Sequence, residues 1–204
     1  MIDRDAFQKR FDVPRETMVL LDSYTALLAD WQTRMNLVGP STIPHVWHRH
    51  FADSAQLLAL SGHGKSWLDI GAGAGFPGIV IALLDPAARV VLVESIAKKC
   101  RFLRQVIESL ELSDRILVEN RRIETLPRQK FDIITARALA SLEQLLEWAL
   151  PYAGSGTRWL LPKGARAAYE IKTARGRFDF DFDLVPSITE PEARVIVAKG
   201  VARR

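Results

Sequence analysis

The stretch "WLDIGAGAGFPGIVIALL", residues 67 to 84, constrains this chain more than any other. A short apolar run breaks into four glycines within a few residues and then turns apolar again. That is the pattern of a buried strand, a tight turn and a helix whose backbone must pass close to a ligand. Three ligand classes use such a turn. A phosphate-binding loop needs a glycine, four residues and then Gly-Lys-Ser after the strand. Gly64-Lys65-Ser66 precedes the strand, and residue 59 is alanine. A dinucleotide fingerprint is met by Gly73, Gly75 and Gly78, but in that register the strand ends three residues too early. Pro77 also removes a backbone N–H from the helix opening where a pyrophosphate would seek donors. A register starting at Gly71 meets Phe76 in place of the third glycine. A phosphate-free nucleoside such as S-adenosylmethionine needs room rather than an anion cradle, and the loop Gly71-Ala72-Gly73-Ala74-Gly75 provides it.

The flanking acids fit this third reading. Asp69, near the end of the first strand, either attracts the cofactor's ammonium group or caps the following turn. Glu94, after the second strand, either accepts the two ribose hydroxyls or caps the helix behind it. Glu124 and Ile123, in "RRIETLP", are placed to address an adenine amino group and ring. Arg137 follows the fourth strand, where it either forks a carboxylate of the cofactor or pairs with Glu143 or Glu147.

The rest of the chain supplies the frame. Up to about residue 60 the periodicity is helical, with Leu20, Leu21, Tyr24, Leu27, Leu28, Trp31 and Met35 forming one stripe between Pro14 and Gly39-Pro40. Residues 1–64 read as a helical cap and residues 65–204 as the cofactor-binding domain, with "SGHGKS" as the hinge. From Ser66 onward, runs at 67–70, 89–94, 115–119, 131–136 and 158–162 alternate with helical segments. Alternation at this pitch predicts a parallel sheet with helices on both faces. The runs at 178–184 and 193–199 are separated by too few residues for a crossover helix and should pair as a closing antiparallel hairpin.

Composition narrows the class. No run reaches the ~18 apolar residues of a membrane span, and the charged start excludes a secretory signal, so a cytoplasmic protein is expected. The single cysteine, Cys100, excludes an internal disulfide and points to a buried small side chain. Lysine and arginine number 28 against 24 acids, and the whole excess lies after residue 64, a hint of a polyanionic partner. His45, His48 and His50 in "HVWHRH" lack a spaced cysteine or acid to complete a metal site, so no metal is expected. His50 should bond Asp53 and fix the cap, with His48 and Arg49 facing substrate or solvent.

The segments "NLVGPSTIPHVWHRHFADSAQLL", "WLDIGAGAGFPGIVIALL", "VESIAKKCRFLRQV", "ENRRIETL", "ITARALASL" and "LLPKG", in this order, closely resemble the RsmG (GidB) family. These are bacterial methyltransferases of guanine N7 in 16S small-subunit ribosomal RNA. The resemblance implies an α/β, class I Rossmann-like methyltransferase fold: a mostly parallel seven-stranded sheet, a C-terminal antiparallel hairpin and an N-terminal helical extension. It places cofactor contacts on Gly71, Phe76, Ile123, Glu124 and Arg137, beside Asp69, Gly73, Gly75 and Glu94. The chain departs from the family pattern at "NLVGP" and at Pro162 before Lys163-Gly164. The expected partner is 16S rRNA or the small ribosomal subunit, bound by a monomer. Cations flanking the motif loops, namely Arg49, Lys98, Lys99, Arg101, Arg121, Arg122, Lys163 and Arg166, are the RNA candidates. Replacing Lys163 should weaken RNA binding and its salt dependence without touching cofactor affinity. N7 carries a lone pair and no proton, so no catalytic base is needed, and none is found after Ser66. The rival readings are a small-molecule methyltransferase, a nicotinamide-dependent oxidoreductase, and an RNA-binding protein with a vestigial cofactor fold.

Overall fold

The computed structural model describes all residues 1–204. Five parallel strands, β1 (Ser66–Ile70), β2 (Arg89–Val93), β3 (Ile116–Glu119), β4 (Phe131–Ala136) and β5 (Ala153–Lys163), are followed by β6 (Phe178–Pro186) and β7 (Arg194–Arg203). They form one sheet in the order β3-β2-β1-β4-β5-β7-β6, with β7 antiparallel to both neighbours. The expected hairpin is present, and the last strand inserts between β5 and β6. All seven runs read from the sequence are strands, although β5 begins five residues earlier than the apolar run, at Ala153.

Helices cover both faces. On one lie α1 (Arg4–Phe11), α2 (Arg15–Gln32), the short α3 (Asp53–Ala55) and α4 (Leu58–Ser61), α5 (Gly78–Leu84) and α6 (Ala97–Ser109). On the other lie α7 (Leu142–Ala149) and α8 (Ala167–Ala174). Each face has its own apolar cluster, because alternate strand residues point to opposite sides. Trp67, Val90, Leu92 and Ile133 join the first, while Leu68, Ile70, Ile134 and Trp159 join the second. The N-terminal helices contribute Phe7, Met18, Leu21, Tyr24 and Leu28 to the same cluster as Ile79 and Phe102. The helical extension therefore shares its core with the sheet.

Two boundaries differ from the periodicity. Helix α2 stops at Gln32, well before Gly39, and Met35 falls outside it. The cause is the Gln32 side chain, whose Oε1 accepts from the N–H groups of Leu37 and Val38 while its Nε2 donates to the Val38 carbonyl. Those bonds favour a turn over further helix. Residues Trp47–Ala52 form a π-helical turn, so the histidine spacing does not follow a regular α-helix. No helix is long and apolar enough to cross a membrane.

Candidate functional site

Strand order reverses beside β1, where crossovers through α5 and α6 lead one way and that through α7 leads the other. Such a point opens a crevice at the carboxyl ends of the strands. A cleft of about 380 Å³ lies there, lined by Gly71, Gly73, Phe76, Glu94, Ile123, Glu124 and Arg137. Seven of the nine cofactor residues read from the sequence thus meet in one place. The cleft also takes in Val38 and Leu139, which lie within quoted motifs but were not singled out, Trp148, which lies outside them, and Lys99, Arg121 and Arg122, read as RNA contacts.

Gly71, Gly73 and Gly75 all have positive φ, 69°, 57° and 90°. The loop is anchored from both sides. Glu94 Oε2 accepts from the Gly73 N–H at 3.0 Å and Oε1 from the Ile96 N–H at 2.8 Å, just ahead of α6. The capping role and the place in the cleft therefore coexist in Glu94. Cys100 is buried beneath it, its thiol donating to the Glu94 carbonyl. On the cap side, the Tyr24 hydroxyl donates to the Ala74 carbonyl. Phe76 stacks against Tyr24 and His50, with ring centroids 5.3 and 4.8 Å away.

Two of the nine residues do not line the cleft. Asp69 is fully buried, and its Oδ2 accepts from the Gly78 N–H at 2.9 Å at the start of α5. The side chain lies behind the loop, under the helix end, where it caps the turn. Gly75 also faces inward, where a Cβ would meet Ile79 and the Tyr24 hydroxyl.

Arg137 pairs with neither Glu143 nor Glu147, which both bond Arg177. Its Nη1 donates to Asp53 Oδ2 at 3.1 Å and to the Arg49 carbonyl at 3.2 Å, and its Nη2 lies 3.0 Å from His50 Nδ1. The guanidinium also sits 5.1 Å from the Phe76 ring centroid. His50 and Asp53 accordingly do not bond each other; each fastens the cap to the sheet through Arg137. Both ring nitrogens of the half-buried His48 are engaged within the fold: its Nδ1 accepts from the Ile2 N–H and its Nε2 lies 2.8 Å from the Thr189 carbonyl.

A second cleft, of about 560 Å³, adjoins the first and shares Val38, Arg137 and Ala138 with it. Its walls come from the cap (Thr42, Arg49, His50, Asp53), the end of β5 (Pro162, Lys163, Gly164), Glu170 of α8 and the β6–β7 loop (Thr189, Glu190). Lys163 does not serve as a free phosphate contact. Its side chain is 9% exposed, with Nζ 2.8 Å from Glu170 Oε2 and 2.6 Å from the Ala140 carbonyl. Arg49 is exposed and bridges to Glu190 at 2.7 Å. Lys98, Arg101 and Arg166 are exposed as expected; Lys98 donates to the Arg34 carbonyl and Arg166 lies over the Tyr169 ring.

Two buried titrating groups pull stability in opposite directions. Burial pushes the Asp69 carboxyl up to about 7, against the opposing Gly78 N–H bond, and its Oδ1 has no partner. Burial, helped by Arg137 and Arg49, lowers His50 to about 3. Between roughly pH 4 and 7 the folded state holds the Asp69 proton and the unfolded chain does not, so this group makes stability fall as pH rises. Between about 6.5 and 3 the unfolded chain protonates its histidine and the folded state does not, so His50 makes stability fall as pH drops. The Asp69→Asn variant should unmask the His50 slope. Denaturant unfolding against pH should show a steeper loss on acidification than wild type, by up to about 1.4 kcal/mol per pH unit. Parallel curves for the two proteins would refute the assignment.

This strand order, with an antiparallel seventh strand and a glycine-lined crevice at the switch point, defines a Rossmann-like methyltransferase. Solved structures share the fold. A glycopeptide N-methyltransferase, MtfA, complexed with S-adenosyl-L-homocysteine superposes with a TM-score of 0.62 at 12% identity, covering 74% of this chain and 89% of that one. Pyrococcus horikoshii TYW2 in complex with MeSAdo gives 0.56 at 19%, covering 74% and 62%. Residues 18–194 match the family model GidB, rRNA small subunit methyltransferase G. Proteins named ribosomal RNA small subunit methyltransferase G are 45% identical in Rhizorhabdus wittichii and 46% identical in Methylorubrum extorquens. Each alignment covers 94% of this chain, and 89% and 92% of those proteins respectively. The chain belongs to the rRNA small subunit methyltransferase G family.

Proposed function

We propose that this protein transfers the methyl group of S-adenosylmethionine to N7 of a guanine in 16S ribosomal RNA. The observation that carries the reading is the pair of clefts meeting at Val38, Arg137 and Ala138. One is smaller and glycine-lined, with Glu94 and Glu124 as its acidic acceptors. The other is wider and has Arg49 at its rim.

When bound, the cofactor supplies an electrophilic methyl on a sulfonium. The chain's own residues hold and orient the reactants. The first cleft fits such a nucleoside, because a Cβ at Gly73 would find only the Gly71 carbonyl, 3.7 Å away. Glu94 uses one lone pair on each oxygen for a backbone N–H and keeps the others for ribose hydroxyls. Ile123 is buried against the position of a base, with Glu124 beside it. Arg137 has five N–H donors and uses three internally, which leaves two for a carboxylate. Guanine N7 needs no base to attack, only an in-line approach at about 3 to 3.5 Å. The junction suits that chemistry. His50, the nearest imidazole, has both ring nitrogens engaged, by Thr42 and Arg137.

This reading takes the protein as a monomer acting on ribosomal RNA in the cytoplasm. Calorimetry should show S-adenosylmethionine binding and no NAD binding. Tritiated methyl should enter naked 16S rRNA or isolated small subunits, at N7 of a guanine. Absence of label from both substrates, or label on another atom, would overturn the reading.

A further inference from the structure

We propose that Lys163 and Glu170 form the specificity element of the second cleft and read the Watson–Crick edge of the target guanine. This rests on the guanine-N7 reading above and adds what selects the base.

Lys163 closes β5 and Glu170 lies on α8, and both line the second cleft. The pair is largely withdrawn from solvent, with side-chain exposures of 9% and 21%. Each partner is only partly satisfied. Lys163 Nζ donates to the Ala140 carbonyl and forms an ion pair with Glu170 Oε2 at 2.8 Å, which leaves at least one N–H free. Glu170 Oε2 also accepts from the Leu142 N–H at 2.7 Å, and Glu170 Oε1 has no hydrogen-bond partner within the protein. One donor and one anionic acceptor are therefore left side by side in a cavity large enough for a base. Guanine presents the complement, an O6 acceptor followed by the N1–H and N2 amino donors. Adenine offers the reverse, an amino donor followed by an N1 acceptor, and would leave the pair unmatched.

The spacing agrees with a base entering this cleft N7 first. Ala138 belongs to both clefts, and the carbonyl that holds Lys163 belongs to Ala140. Two residues span at most about 7 Å, the scale of one purine. A guanine with N7 at the junction thus turns its N1 and N2 edge toward the pair. Enzymes that act on extruded bases read them through that edge. Because the Lys163 charge is offset by Glu170, the pair adds little to nonspecific attraction for phosphate.

The test compares small-subunit RNA carrying guanosine at the target with the same RNA carrying inosine, which lacks only the 2-amino group. Wild type should methylate inosine with kcat/KM reduced about 10- to 100-fold. Glu170→Gln keeps an oxygen for the Leu142 N–H but turns the free acceptor into a donor. It should lower kcat/KM on guanosine more than on inosine, which keeps only its N1–H against the new donor, and so shrink the preference for guanosine over inosine about tenfold. Its S-adenosylmethionine affinity and melting temperature serve as controls for folding. Should that variant fail to fold, Lys163→Met carries the comparison. It should shrink the preference for guanosine over 2-aminopurine, which lacks O6 and with it the N1 proton, about tenfold, and leave the salt slope of RNA binding unchanged. Wild type treating guanosine and inosine alike, or Glu170→Gln losing the same factor on both, overturns the proposal. No N7 methylation of guanosine by wild type overturns the underlying function instead.

Discussion

Gly75→Ala is expected to cost about 4 kcal/mol of folding stability, whereas Gly73→Ala in the same loop should leave the fold nearly intact and weaken cofactor binding tenfold or more. The two glycines are two residues apart, but their surroundings differ. At Gly75 the backbone sits at φ 90°, and an added Cβ would lie 2.5 Å from Ile79 Cδ1 and 2.7 Å from the Tyr24 hydroxyl. Neither neighbour can yield. Ile79 and Tyr24 are fully buried, and the hydroxyl is held by the Ala74 carbonyl. A strained φ costs on the order of 1–3 kcal/mol and overpacking about as much again. The sum is a large share of a total stability of roughly 5–15 kcal/mol. At Gly73 the φ is 57° and the nearest atom to an added Cβ is 3.7 Å away, so strain alone remains, on the order of 1–2 kcal/mol. The methyl would take up space in the cleft. Urea unfolding and calorimetry with S-adenosylmethionine should separate the two variants. Equal stability losses would remove the distinction between an inward-facing and a cleft-facing glycine.

Arg137→Met should reduce kcat/KM by about 100-fold or more and cofactor affinity by at least tenfold, and Arg137→Lys should recover little of either. Arg137 is the one residue that lines both clefts, grips the cap and stacks on Phe76. A point charge on a flexible stem cannot replace a planar fork that bonds Asp53, His50 and the Arg49 carbonyl together. Losing the cation also leaves Asp53 unpaired. That carboxylate is 16% exposed and still accepts from Thr189 and Gln56. The stability cost should therefore fall below the ~3–5 kcal/mol of a fully buried broken pair, at about 1–3 kcal/mol. His50 gives a second readout: without Arg137 its pKa should rise from about 3, while burial, the larger cause, still holds it below 6.5, a change visible by NMR titration. Near-wild-type kinetics in the lysine variant would show that charge alone suffices.

The asymmetry between what could be read and what could not is clearest at single residues. Glu94 was legible as an acid at the end of a strand, because strand position and the following helix are both local properties. Asp69 carried the same signature, yet it lies under the start of α5 rather than in the cleft. The two differ only in which side of the loop their side chains meet, and Gly78 decides that by donating its N–H to Asp69. Arg137 was legible as a residue at the mouth of β4. Its partner Asp53 lies 84 positions earlier in the chain and was legible only as a neighbour of His50. Lys163 read as a free cation for the same reason, since Glu170 on the next helix announces itself only as a surface acid. The early stop of α2 went unread because Gln32 holds the loop through its side chain, which no periodicity records.

The sequence by itself determined the seven strands and the main helices, the glycine loop at the sheet's switch point, the acid beside it and the family to which the motifs belong. These depend on short-range chemistry: side-chain period, backbone freedom and the residues that end helices. Only the tertiary structure decided which charges are free and which are spent, which glycines face the ligand, and that a second cleft is built from the cap, β5, α8 and the β6–β7 loop. Those outcomes depend on pairs such as Arg49 with Glu190, 141 residues apart, and a pairing of that range exists only once the sheet has brought its ends together.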